Sequence, residues 1–283
     1  MLSSLLLALQ CTITSALNNL SCAPGGNFDL SYWDLQLPSG TTGHPTTISS
    51  SSLQGCNGYQ NDKYFFTDSG DGALVVKVPG SPSSSKCVTT THSKHCRTEL
   101  REVDPGTGKA TSWSPSALKN RLNATLSVPT PDDSKCGTVV GQIHIDDSVS
   151  SKPVCELYYN RAGDIHIGVE KTRCGGQNVT KVGSVPVGTN FSYELSYEED
   201  TLSLSINGGA AQILDTSELD SPKSYFKVGN YNQGNSASEV HFFAITVEHQ
   251  GFSCITPYGE DATARCGHQS INQPERPLIN LIG

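Results

Sequence analysis

From Phe28 to Glu248 the chain is a nearly unbroken succession of short runs in which apolar and polar residues alternate. Alternation with period two marks a strand with one buried face, whereas a helix repeats its apolar residues every three or four positions. The runs are Phe28–Leu37, Tyr64–Thr67, Ala73–Val78, Cys96–Val103, Leu122–Val128, Thr138–Ile145, Val154–Tyr159, Asp164–Glu170, Phe191–Tyr197, Thr201–Ile206, Tyr225–Asn232 and Glu239–Glu248. Turn formers such as Asp68-Ser-Gly-Asp-Gly72 and Asn207-Gly-Gly209 join neighbours as hairpins. Helical periodicity is nearly absent, a single turn at Thr216–Leu219 excepted. About a dozen strands without a linker or repeat predict one all-β domain, an antiparallel β-sandwich of jelly-roll type. Residues 39–62 and Pro79–His95 read as polar loops, and 17–27 as an exposed leader.

The termini and cysteines place the chain in a compartment. Residues 1–16 form a short apolar run closed by Thr14-Ser15-Ala16, the pattern of a secretory signal peptide, and no other stretch is apolar enough to span a membrane. That leaves 17–283 as a single domain, with its core at about 28–250 and a tail at 251–283. Beyond Cys11 there are nine cysteines without metal-site spacing, so disulfides are expected, with at least one thiol left over. Cys87–Cys96 and Cys254–Cys266 are the expected pairs. The sequons at Asn19, Asn123, Asn178 and Asn190 agree with a secreted, extracellular glycoprotein. A net charge of −8 excludes nucleic acid as a partner. It also argues against an anionic polymer, unless positive charge is concentrated in one place.

Three strands carry polar side chains where a sandwich would otherwise meet solvent. In Tyr225–Gln233, the residues Tyr225, Lys227, Gly229, Tyr231 and Gln233 share one face, and Phe226, Val228 and Asn230 the other. Gly229 reads as clearance for a ligand. Arg97, Glu99 and Arg101 share a face opposite Thr98 and Leu100; Glu99 is expected to hold both guanidiniums. Gln142 and His144 share a face opposite Ile143 and Ile145. A surface ion-pair ladder and a structural histidine are the bland alternatives. His44, His92 and His95 lie in loops that could rim a cleft. Together the groups suit proton abstraction beside a carboxylate. Arg97, Arg101, Lys227 and Gln142 would hold and neutralise the carboxylate. His144 has an ordinary pKa of ~6.5, which suits a base, and Tyr231 would protonate the leaving oxygen. No metal or organic cofactor is needed.

The segments Arg97-Thr-Glu-Leu-Arg101, Gln142-Ile-His144 and Tyr225-Phe-Lys-Val-Gly-Asn-Tyr-Asn-Gln233 resemble, in order and spacing, the motifs of polysaccharide lyase family 7, the alginate lyases. The resemblance implies a jelly roll with a concave substrate-binding sheet and cleavage of alginate by β-elimination. It implies catalytic roles for Arg97, Gln142, His144 and Tyr231, and substrate contacts from Glu99, Arg101, Lys227, Gln233 and Tyr225. On mannuronate, Tyr231 would serve as base and acid together. The partner is then an anionic polysaccharide, and the protein acts as a monomer. Three alternatives stay open here. One is a lyase of the same fold acting on another polyuronate such as glucuronan. Another is a glycoside hydrolase, for which Glu99 lacks an evident partner other than Asp146. The last is a non-catalytic carbohydrate-binding sandwich.

Overall fold

The computed structural model describes residues 18–91 and 93–250. The 1–16 leader, the 251–283 tail, the Cys254–Cys266 pair and His92 lie outside those residues. In chain order the strands are β1 (Trp33–Thr41), β2 (His44–Ile48), β3 (Phe65–Thr67), β4 (Leu74–Val78), β5 (Arg97–Glu102), β6 (Lys119–Thr130), β7 (Thr138–Ile145) and β8 (Pro153–Tyr159). They continue as β9 (Asp164–Thr172), β10 (Gly175–Ser184), β11 (Phe191–Glu198), β12 (Thr201–Ile206), β13 (Gln212–Leu214), β14 (Ser224–Tyr231) and β15 (Ser238–Gln250). They form an antiparallel jelly-roll sandwich: an eight-stranded sheet in the order β10-β9-β8-β7-β14-β5-β1-β2 and a seven-stranded sheet in the order β13-β12-β11-β6-β15-β4-β3. Among the described residues, helix is confined to single turns at Ser50–Leu53 and Pro82–Ser85.

Alternation builds the core. Trp33, Leu35, Leu37, Leu100, Ile143, Ile145, Phe226 and Val228 point inward from the larger sheet. Leu122, Leu126, Phe191, Tyr193, Leu195, Leu204 and Phe242 meet them from the smaller one. Burying one such side chain contributes about 1.5–3 kcal/mol, and each strand commits its whole inner face. The outer face of the larger sheet is thereby left free for other work.

Several loop expectations are corrected. β2 lies within the stretch read as a 39–62 loop, and β10 and β13 also escaped notice. The 17–27 leader is not simply exposed. Cys22 is buried and bonded to Cys56, and the Ala23 amide donates to the Cys56 carbonyl at 2.9 Å. The expected Cys87–Cys96 bond is present. Cys136, Cys155 and Cys174 are unpaired among the described residues. Thr216–Leu219 makes its single turn, with the Leu219 amide on the Thr216 carbonyl.

Candidate active site

The three polar faces meet at the centre of the larger sheet, because β14 pairs with β7 on one side and β5 on the other. Register decides which side chains become neighbours. Tyr225 lies opposite His144 and Lys227 opposite Gln142. On the other edge Lys227 lies opposite Arg101, Gly229 opposite Glu99 and Tyr231 opposite Arg97. Tyr225, Lys227, Tyr231, Arg97, Arg101, Gln142 and His144 line a cleft of about 470 Å³, joined by Gln36 of β1, Ser93, Asp147 and Glu156.

Glu99 is not on the cleft wall. It is 3% exposed, beneath the floor. One carboxylate oxygen accepts from Arg97 Nη1 at 3.0 Å and the other from Gln142 Nε2 at 2.5 Å. It therefore holds two cleft residues from below and is not itself among the residues that line the cleft. Nor does it hold both guanidiniums: Arg101 pairs with Asp147 Oδ2 at 2.8 Å. Gln233 falls beyond β14, outside the cleft lining, with its amide on the Tyr231 carbonyl at 3.3 Å. Gly229 is explained by its neighbour strand. At φ +153° it occupies backbone space that favours glycine, and a Cβ there would meet the Thr98 carbonyl oxygen at 2.6 Å. The clearance serves β5, not a ligand.

Burial sets the protonation states. His144 is pushed well below the ordinary imidazole value by burial and then by the Lys227 cation. Its Nδ1 lies 2.7 Å from the Ile145 carbonyl. A carbonyl only accepts, so Nδ1 carries the hydrogen and Nε2 keeps its lone pair. Arg97 stays charged: burial opposes its charge, but Glu99, Tyr231 and Glu156 together raise it above its ordinary value. Lys227 is lowered to about 8 by burial and then by Arg97.

The two phenols differ. Tyr225 is buried, donates to Asp147 Oδ1 at 2.9 Å, and is pushed well above the usual phenol range by its burial. Tyr231 is half-buried, with Arg97 Cζ 3.7 Å from its ring centroid and Ser93 Oγ 3.1 Å from its hydroxyl. His95 stands edge-on to the same ring, 6.0 Å between centroids. Tyr225 thus has its proton committed, whereas Tyr231 presents a phenol to the cleft.

Sequence reasoning missed Asp147, Ser93 and Glu156. They lie in a turn, in a loop and on a strand whose polar face had no flagged partner. Glu156 accepts from Tyr158 at 2.6 Å and Gln177 at 2.8 Å. Asp146, the candidate second acid for hydrolysis, is spent on its turn and accepts from the Ser148 amide and hydroxyl. Among the described residues no group of three or more His, Cys, Asp or Glu could hold a metal ion.

A jelly-roll sandwich with three cations, an imidazole and a phenol converging on one open cleft is the class of fold and site that suits a polysaccharide lyase. The chain belongs to the alginate lyase family, whose model matches residues 28–249. An alginate lyase of Klebsiella pneumoniae is 26% identical over 79% of this chain and 89% of its own length. The crystal structure of alginate lyase A1-II', a member of polysaccharide lyase family 7, matches with a TM-score of 0.68 and 27% identity, covering 81% of this chain and all of that one. An alginate lyase from Pseudomonas aeruginosa matches at 0.66 and 30% identity, over 78% of this chain and 100% of that one. The protein is an alginate-cleaving polysaccharide lyase.

Proposed function

We propose that the protein is a secreted, monomeric enzyme that cleaves alginate by β-elimination, with its chemistry centred on Arg97, Gln142, His144 and Tyr231. The observation that carries this reading is the alignment of β5, β14 and β7, which gathers those four side chains around one cleft above the Glu99 carboxylate. A1-II' has been crystallised in complex with a substrate (GGMG), which supports an alginate oligosaccharide in the corresponding cleft here. Two disulfides support an oxidising, extracellular setting.

Arg97 and Gln142 face the carboxylate of the sugar whose C5 proton is removed. That proton is barely acidic while the neighbouring carboxylate is fully charged. Donors fixed in advance stabilise the enolate-like intermediate without reorganising. Neutral His144 takes the C5 proton on Nε2. The C5–H pair becomes the C4=C5 double bond, the C4–O4 pair leaves with O4, and Tyr231 supplies the proton that O4 gains. On mannuronate, Tyr231 would perform both transfers. Arg101, Lys227 and Tyr225 hold neighbouring uronates.

The test uses the conjugated double bond, which absorbs in the ultraviolet. Alginate, polymannuronate and polyguluronate are expected to give rising absorbance. A rise on glucuronan alone would reassign the substrate, and reducing ends without absorbance would overturn elimination.

Lys227 gives the site a pH dependence. In the free enzyme it loses its charge as pH rises through about 8, so KM for alginate is expected to increase several-fold between pH 7 and about 9.5. Stability moves the other way. The unfolded lysine keeps its proton to ~10.4, so stability contributed by neutral burial grows as pH climbs from about 8 towards that value. Lys227→Met should raise KM at pH 7 and flatten its rise. A KM of Lys227→Met that climbs as steeply as that of the parent would remove Lys227 as the cause.

A further inference from the structure

Ser93 belongs to the loop closed by the Cys87–Cys96 disulfide, which is tied to β1 by the Val88 amide on the Pro38 carbonyl. Its Oγ has more neighbours than bonding capacity. The Tyr231 hydroxyl is 3.1 Å away, Arg97 Nη2 3.2 Å, the His95 amide 3.2 Å and the His95 carbonyl 3.1 Å. A serine hydroxyl has one hydrogen and two lone pairs. The guanidinium and the amide can only donate, so they occupy both lone pairs. Ser93 then has no lone pair with which to accept the phenolic proton. Its single hydrogen has two acceptors within reach, the His95 carbonyl and the Tyr231 oxygen.

We infer that Ser93 is the positioning residue of the acid. It fixes the Tyr231 oxygen, leaves the phenolic hydrogen free to point at the leaving O4, and turns its own hydrogen onto the phenolate as that proton departs. As the C4–O4 pair leaves with O4, the Tyr231 O–H bond breaks and an O4–H bond forms; the Ser93 O–H bond stays intact and rotates. A hydrogen bond to an anion is about twice as strong as one to a neutral carbonyl, so the rotation follows the charge. Arg97 donates to the same Oγ, which polarises the hydroxyl towards the developing phenolate. The disulfide acquires a function in this arrangement, since the loop it closes carries the donor.

The inference rests on Tyr231 being the acid, and the experiment separates the two. In the full-length enzyme, Ser93→Ala is expected to lower kcat on alginate roughly 10- to 100-fold with KM within about two-fold. Ser93→Thr, which restores a hydroxyl, should recover most of that loss. Melting temperatures report whether each variant is folded, and Ser93→Gly replaces the alanine variant if the latter does not fold. An unchanged kcat in Ser93→Ala beside an inactive Tyr231→Phe would overturn the Ser93 role and leave the acid in place. So would a threonine variant no better than alanine, or a loss confined to KM. An active Tyr231→Phe would overturn the acid itself.

Discussion

Replacing Tyr231 by phenylalanine is expected to lower kcat on alginate by roughly 10²–10⁴-fold or more while leaving binding of the polymer within about two-fold. The change removes one oxygen and little else. The ring keeps its place under the Arg97 guanidinium, 3.7 Å from its centroid, and the strand keeps its register against Arg97. What disappears is the proton that O4 needs in order to leave. Among the described residues, the other phenol of the cleft cannot substitute. Tyr225 is buried and its hydrogen is committed to Asp147, whose other oxygen holds Arg101. The measurement is initial ultraviolet rate against substrate concentration, with binding followed separately on an oligouronate. A phenylalanine variant within ten-fold of the parent rate, roughly 1.4 kcal/mol of barrier, would mean that another group delivers the proton.

The central strands were legible because each buries one face completely. Thr138–Ile145 and Thr201–Ile206 emerge with the bounds read from alternation alone. The three strands that escaped are all sheet edges: β2 and β10 flank the larger sheet and β13 one side of the smaller. An edge strand pairs on one side only and buries little, so its sequence need not alternate. Gly175–Ser184, with its glycines and mostly exposed positions, is the clearest case. Hairpin spacing exposed Cys87–Cys96 but could not expose Cys22–Cys56, which lie 34 residues apart.

The site divides along the same line. Face sharing brought Arg97, Glu99, Gln142, His144, Lys227 and Tyr231 onto one surface on paper, because their strands alternate strictly. Depth is a different matter, set by how neighbours fill the space above a side chain. Glu99 therefore read as a wall residue and lies under the floor. Asp147 and Ser93 reach the cleft from a turn and a disulfide-closed loop, where no period constrains direction. The acidic balance of the whole chain likewise says little about the cleft, where Arg97, Arg101 and Lys227 converge.

Glu99 now carries the second large effect. Glu99→Ala is expected to destabilise the fold by about 3–5 kcal/mol, the usual result of stripping a buried charge of its partner. For a domain of this size that corresponds to a melting temperature lower by roughly 10 °C. Arg97 is 8% exposed and cannot shed its proton, so it would remain a buried cation beside Lys227 and Arg101. Gln142 would lose its anchor at the same time, and kcat should fall even at temperatures where the variant is folded. Glu99→Gln keeps the shape and one acceptor, so it should recover part of the stability and little of the activity. A double variant, Glu99→Ala with Arg97→Met, keeps the cavity but removes the stranded charge, and should melt above Glu99→Ala while remaining inactive. That pairing separates electrostatic support from packing. If the double variant melted no higher than Glu99→Ala, the loss would lie in the cavity left by the glutamate and not in the unpaired guanidinium.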